Sequence, residues 1–367
     1  MRNCQQLIDF ISEKDHQCLS FIREKARESD IFLGIRNNSL NLYYMGHSLV
    51  SIQYYENRGI EYTIAEEYYT GPRPIKLENI INSYSDIKER IKRFAKGKDS
   101  EKTEKIFQQR IVSETNKSKI SNWYCLDIEY IQEGTPFGRI DIIAISKQKK
   151  EEKFKIALVE LKVGEDSIRA SLNDVMKSNK QQYDNVHETP HAIYNHNNMG
   201  LKYKSGIVGH LVDYFRYLYT DGDIKMLRCE IPLILNCQEK FGIDIPKEIR
   251  NIKSTDLDIH PEVIFLCYTD PDLPKKQTPN HVKKITSNHI FHGDGKRRSK
   301  FALQALINKE DISGFLNSET KEAFSDNTKD IVSLCQDIND SSYNFNFIFV
   351  DSADDNCWLS LDRLVLK

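Results

Sequence analysis

Nowhere in this chain of 367 residues does an apolar run approach the roughly 18 residues that a membrane-spanning helix needs. No membrane partner is therefore expected. The eight cysteines (4, 18, 125, 229, 237, 267, 335 and 357) include no Cys-x-x-Cys pair, which argues against a cysteine zinc site. The opening Met1-Arg2-Asn3-Cys4-Gln5-Gln6 lacks the apolar stretch of a secretory leader. Together these point to reduced thiols in a cytoplasmic setting. Charge of one sign is also missing: 52 Lys and Arg against 54 Asp and Glu leave a net charge of −2. A nucleic-acid partner would have to be held by local basic patches or through metal ions, not by an overall basic field. There is no Gly-x-x-x-x-Gly-Lys phosphate loop, no Gly-x-Ser-x-Gly elbow and no internal repeat, so nucleotide-driven and acyl-transfer chemistry lack support.

What is present describes a globular chain, 39% hydrophobic and 29% charged, long enough for one large domain or two to three smaller ones. The first 28 residues carry a helical apolar stripe (Leu7, Ile8, Phe10, Ile11, Leu19, Phe21, Ile22). Strands are expected at 31–35, 40–44 and 49–55, separated by Asn37-Asn38-Ser39 and Gly46-His47-Ser48, with a fourth at 62–64. Residues 1–75 thus read as an α+β module built on an antiparallel meander, closed by Gly71-Pro72-Arg73-Pro74. Its tyrosines at 43, 44, 54, 55, 68 and 69 could stack on bases, but core and rim packing is the simpler reading. Helices are expected at 77–94 and 101–115, strands at 123–131, 139–145 and 154–161, and helices at 167–186 and 206–219. Further strands are expected at 231–235, 263–268, 346–350 and 359–365.

Two of these strands carry the chemistry. Gly138-Arg139-Ile140-Asp141-Ile142-Ile143-Ala144-Ile145 and Lys155-Ile156-Ala157-Leu158-Val159-Glu160-Leu161-Lys162 set charge inside otherwise apolar runs. Burying a carboxylate is costly unless something compensates for it. Side chains alternate along a strand, so Glu160 and Lys162 share one face while Val159 and Leu161 take the other. One Asp, one Glu and one Lys on neighbouring strands are the set needed to hold a divalent metal beside a reacting phosphate. The bland alternative is a solvated ion pair at a strand end, which would contribute little.

The order helix, three strands, helix, strand, with Asp141 on the second strand and Glu160-Leu161-Lys162 on the third, resembles the PD-(D/E)xK nuclease superfamily. The resemblance covers about residues 101–268. It departs in having Ile140 where many members have Pro, and Lys180-Gln181-Gln182-Tyr183 does not match the spacing of the Gln-x-x-x-Tyr element that some members carry. It implies an α/β fold with a restriction-endonuclease-like core, a mixed sheet flanked by helices, at 76–270. The N-terminal module (1–75) would serve recognition, partner or dimer contact, and a C-terminal extension with a basic loop would occupy 271–367.

It further implies metal-dependent hydrolysis of phosphodiester bonds, DNA favoured, in a restriction or phage-defence setting. Asp141, Glu160 and the Leu161 carbonyl would hold Mg²⁺ (or Mn²⁺), which keeps several waters and needs few protein ligands. Lys162 would orient or deprotonate the attacking water, or stabilise developing charge. An additional acid would come from Glu104, Glu114 or Glu129, with Gln108 on the helical side of Glu104. Cutting both strands calls for two active sites, which makes a homodimer one arrangement of the enzyme. The competing readings are a catalytically silent nucleic-acid-binding or scaffold protein on the same fold, and an RNA nuclease.

The remaining candidates are weaker. Lys283, Lys284, Lys296, Arg297 and Arg298 lie in a basic stretch suited to phosphate contact. His210 shares a helical side with Asp213, opposite the apolar stripe of Ile207, Leu211, Tyr214, Phe215 and Leu218; it could contact a phosphate, although a solvated polar pair is the simpler reading. His187, His191 and His196 have no metal-ligand spacing, and a loop is expected there.

Overall fold

The structure, a computed structural model, describes residues 4–95, 100–131, 139–168, 171–172, 203–219, 223–268, 297–312, 326–350 and 357–364. The N-terminal apolar stripe forms two helices rather than one, α1 (Gln5–Lys14) and α2 (His16–Lys25). Asp15 separates them: its side chain accepts the Cys18 N–H at 2.9 Å as an N-cap, an arrangement incompatible with continuous helix. Strands β1 (Ile31–Arg36), β2 (Ser39–Tyr44), β3 (His47–Tyr55) and β4 (Gly59–Thr63) follow as an antiparallel sheet in chain order.

The β2–β3 turn places Met45 and Gly46 at positive φ (52° and 76°), the backbone that a tight two-residue hairpin requires. A Cβ on Gly46 would collide with the Lys105 backbone of α4 (Ser100–Lys117), so glycine is needed there twice over. Gln109 completes this junction. Its Nε2 donates to the carbonyls of Asp30 (2.7 Å) and Tyr43 (3.1 Å), while its Oε1 accepts the Gly46 N–H. The meander thereby fixes helix α4. Helix α3 (Leu77–Ala95) packs Ile80, Tyr84, Ile87 and Ile91 into the same apolar cluster as α1, α2 and the meander.

A second sheet contains β5 (Trp123–Tyr130), β6 (Ile140–Lys150), β7 (Lys153–Val163), β10 (Glu262–Tyr268) and β11 (Asn344–Val350). Its order is β11-β10-β7-β6-β5. Strands β5 to β7 are antiparallel, whereas β10 runs parallel to β7 and β11 parallel to β10. Alternation distributes side chains to two clusters. Ile142, Ala144, Val159 and Leu161 meet Phe107, Ile111 and Val112 of α4. Ile143, Ile145, Leu158 and Phe265 meet Ile207, Leu211, Tyr214 and Phe215 of α6 (Gly206–Tyr219). The chain is therefore mixed α/β, with α4 and α6 on opposite faces of the central sheet. Arg36 ties the meander to this sheet, donating to the fully buried Asp127 carboxylate (2.6 Å) and to the Ile128 carbonyl (2.8 Å).

Three expectations fail. Residues 231–235 are not a strand but part of α7 (Asp223–Lys240). Leu227, Ile231, Ile234, Leu235 and Gln238 are buried at helical spacing, a period that five adjacent apolar residues cannot display by themselves. The helix expected at 167–186 covers only α5 (Glu165–Ile168) within the described residues. Beyond it Ser171–Leu172 (β8) pair antiparallel with Tyr203–Ser205 (β9), a non-local partnership that local periodicity does not reveal. The rest of that expected helix, including Gln181 and Tyr183, lies outside the described residues, as do His187, His191 and His196. Finally, Cys357–Arg363 is a 3-10 helix, not a strand. It is kinked at Leu359, and Trp358, Leu361 and Leu364 pack on the α4-side cluster. Among the described residues no helix is long and apolar enough to cross a membrane.

Candidate active site

Asp141 is the second residue of β6, and Glu160 and Lys162 lie near the end of β7. The ladder pairs Ile142 with Val159, so one further step brings Asp141 opposite Glu160. Two-residue alternation then directs Asp141, Ile143, Leu158, Glu160 and Lys162 to the α6 face of the sheet. Asp141 is held from both sides. Its Oδ2 accepts the Leu161 N–H at 2.8 Å, and its carbonyl accepts from Gln108 Nε2 of α4. A strand residue's N–H and C=O point to the same edge, so the Leu161 carbonyl also faces Asp141.

All three charged residues are buried, Asp141 at 6%, Glu160 at 2% and Lys162 at 6% exposure. That rules out the solvated ion pair. Glu160 is the hub of the cluster: Oε1 accepts from Lys162 Nζ at 2.6 Å and lies 3.1 Å from His210 Nδ1, while Oε2 accepts from the Tyr214 hydroxyl at 3.1 Å. His210 and Tyr214 stand four residues apart on α6, hence on one side of it.

The two carboxyls are driven in opposite directions. Burial, with Glu160 and Glu104 adding repulsion, holds the Asp141 pKa well above the ordinary aspartate range, against the opposing pull of Lys162. Burial also works against the Glu160 charge. There it is outweighed by neighbouring positive charge and by donors from Lys162 and Tyr214, and the pKa falls below its usual value. Burial pushes the His210 imidazole down to about 4 against the pull of Glu160, and its Nδ1 lies 3.1 Å from Glu160 Oε1. His210 and Lys162 both lower the Glu160 pKa by their charge, and Lys162 adds its hydrogen bond. Burial opposes the Lys162 charge, yet Glu160, Glu104 and Asp141 together raise its pKa.

Of the three candidate additional acids, Glu104 acts electrostatically on both Asp141 and Lys162. Glu114 is exposed and stands ten residues further along α4, about 15 Å along the axis. Glu129 is engaged on β5 by Arg139 (3.1 Å) and Lys105 (3.9 Å). His210, expected on a solvated side, turns to Glu160 instead. Tyr214 was legible only as part of the apolar stripe; the His210-x-x-x-Tyr214 spacing is the signal that it shares the His210 side. Lys283, Lys284 and Lys296 lie outside the described residues, and Arg297 and Arg298 open helix α8 (Arg297–Ile307).

Among the described residues no group of three or more His, Cys, Asp and Glu side chains forms a metal cage. Mg²⁺ needs none, being held through one or two carboxylates and its own waters. Asp141, Glu160 and the Leu161 carbonyl fit that donor set. Family models, curated proteins and solved structures offer no match to this chain.

Proposed function

We propose that this chain is a metal-dependent nuclease that hydrolyses phosphodiester bonds, with DNA the favoured substrate. The observation that carries the reading is the burial of Asp141, Glu160 and Lys162 on one face at one end of β6 and β7. The succession α4, β5, β6, β7 and later α6 and β10, with α5, β8, β9 and α7 also between β7 and β10 and with β10 parallel to β7, supports the PD-(D/E)xK resemblance.

Asp141, Glu160 and the Leu161 carbonyl would hold Mg²⁺ or Mn²⁺. A cation bound there neutralises phosphate oxygens and lowers the pKa of a coordinated water. Lys162, whose pKa is raised by Glu160, Glu104 and Asp141 against burial, would donate a hydrogen bond to the water or to the developing phosphorane oxygens. Gln108 and the Leu161 N–H fix Asp141 so that its carboxyl keeps one orientation. His210 and Tyr214 do the same for Glu160.

The test is incubation with plasmid, linear duplex, single strands and RNA, with Mg²⁺ or with chelator. Cleavage that requires metal and is lost in Asp141→Ala and Lys162→Ala is expected; unchanged cleavage in Glu160→Ala would remove the assignment. A second reading, a catalytically silent nucleic-acid-binding protein, is favoured by one observation: both Glu160 oxygens are already satisfied within the chain. Nucleic-acid binding without cleavage under every metal condition is its expected outcome in the same assay.

A further inference from the structure

Glu160 carries more donors than a waiting metal ligand needs. Lys162 Nζ and His210 Nδ1 converge on Oε1, and the Tyr214 hydroxyl occupies Oε2. The 2.6 Å contact from Lys162 is the shortest of the three. The Lys162 ammonium would therefore compete with a divalent cation for the same Glu160 oxygen.

We propose that Lys162 is an internal competitor for the metal: its ammonium latches Glu160 in the metal-free protein and is released towards the substrate only when the cation takes its place. This deepens the metal-dependent reading above and rests on it. The geometry supplies what such an exchange needs. Once Lys162 leaves, the Tyr214 hydroxyl still donates to Oε2 and His210 Nδ1 still stands beside Oε1, both from α6, so Glu160 remains anchored. Glu104 and Asp141 both attract the Lys162 ammonium, so it does not have to leave the site. The latch couples occupancy to chemistry, because the catalytic cation of the chain becomes available to a phosphate only after the metal has arrived.

The test measures Mn²⁺ binding alone, without nucleic acid, by the electron paramagnetic resonance signal of free Mn²⁺ at fixed pH. Lys162→Gln and Lys162→Met should bind Mn²⁺ at least about tenfold more tightly than the wild type (~1.4 kcal/mol), although neither cleaves. Lys162→Arg, which keeps the charge, should not tighten binding. A measurement on the unaltered protein covers the event that the variants do not fold: acylation of Lys162, followed by mass spectrometry of its peptide, should accelerate when Mn²⁺ is added. Wild-type affinity in Lys162→Gln and Lys162→Met, or unchanged acylation in the presence of bound Mn²⁺, overturns the latch and leaves the metal reading intact. Failure of every form to bind Mn²⁺ through Asp141 and Glu160, with Asp141→Asn as the reference, overturns both.

Discussion

Replacing Asp141 by Asn should stabilise the fold and replacing Glu160 by Gln should destabilise it, although both should abolish cleavage. Asn keeps the oxygen that accepts the Leu161 N–H and nearly the same volume. It removes a buried carboxylate crowded by Glu160 and Glu104. Relief of such functional strain is worth ~0.5–2 kcal/mol, which for a chain of this size raises Tm by about 1–4 °C. Glu160→Gln acts in the opposite sense. It leaves the Lys162 ammonium, whose side chain is 8% exposed, without its counter-ion, a loss of ~3–5 kcal/mol when a buried pair is broken from one side.

The pH dependence sharpens the contrast. The folded pKa of Asp141 lies above its unfolded value of about 3.9, so the native state binds more protons and loses stability as pH rises from there through the folded value. The advantage of Asp141→Asn over the wild type should therefore be absent below about pH 4 and grow as pH increases. Calorimetric unfolding of the three proteins from pH 4 to 8 measures all of this. An Asp141→Asn variant that is less stable than wild type at pH 7, or whose margin does not widen with pH, would refute the assignment of charge within the site.

Three further outcomes are expected. His210, held down at about 4 in the fold against 6.5 in the free side chain, is protonated only in the unfolded chain between those values, so stability falls as pH drops through that window. In His210→Gln that part of the slope should vanish, and the ring resonances of His210 should not titrate above about pH 5. Arg36→Met removes the ion pair of the fully buried Asp127, leaving the Ile128 N–H among its donors, and should cost up to ~3–5 kcal/mol in chemical denaturation; Asp127→Asn in the same chain should recover a large part. Gly46→Ala meets both the positive φ and the Lys105 backbone, so it should destabilise by more than ~1 kcal/mol and increase proteolysis between the meander and α4.

Where local signals were strong, the sequence could be read closely. The turn residues Asn37-Asn38 and Gly46 marked the meander, and the apolar stripe of 206–219 marked α6 with its bounds. The alternation in Glu160-x-Lys162 put two of the three charges on one face, and the register of β6 against β7 added Asp141. Ile231–Leu235 misled because a short apolar run has no period of its own, and only the buried Leu227 and Gln238 on either side make it helical.

The choice among Glu104, Glu114 and Glu129 was beyond any spacing rule, as was the recruitment of His210 and Tyr214 to Glu160. Residue order along a strand or helix dictates which side chains share a face, because that depends on bond geometry alone. Which face meets which depends on chain segments dozens of residues apart, Tyr214 standing 54 positions from the Glu160 it binds. The opposite shifts of two neighbouring carboxyls, one pKa lowered and one raised, were therefore decided by packing. Burial sets the cost of each charge, and only the tertiary fold determines which of them is given a compensating donor.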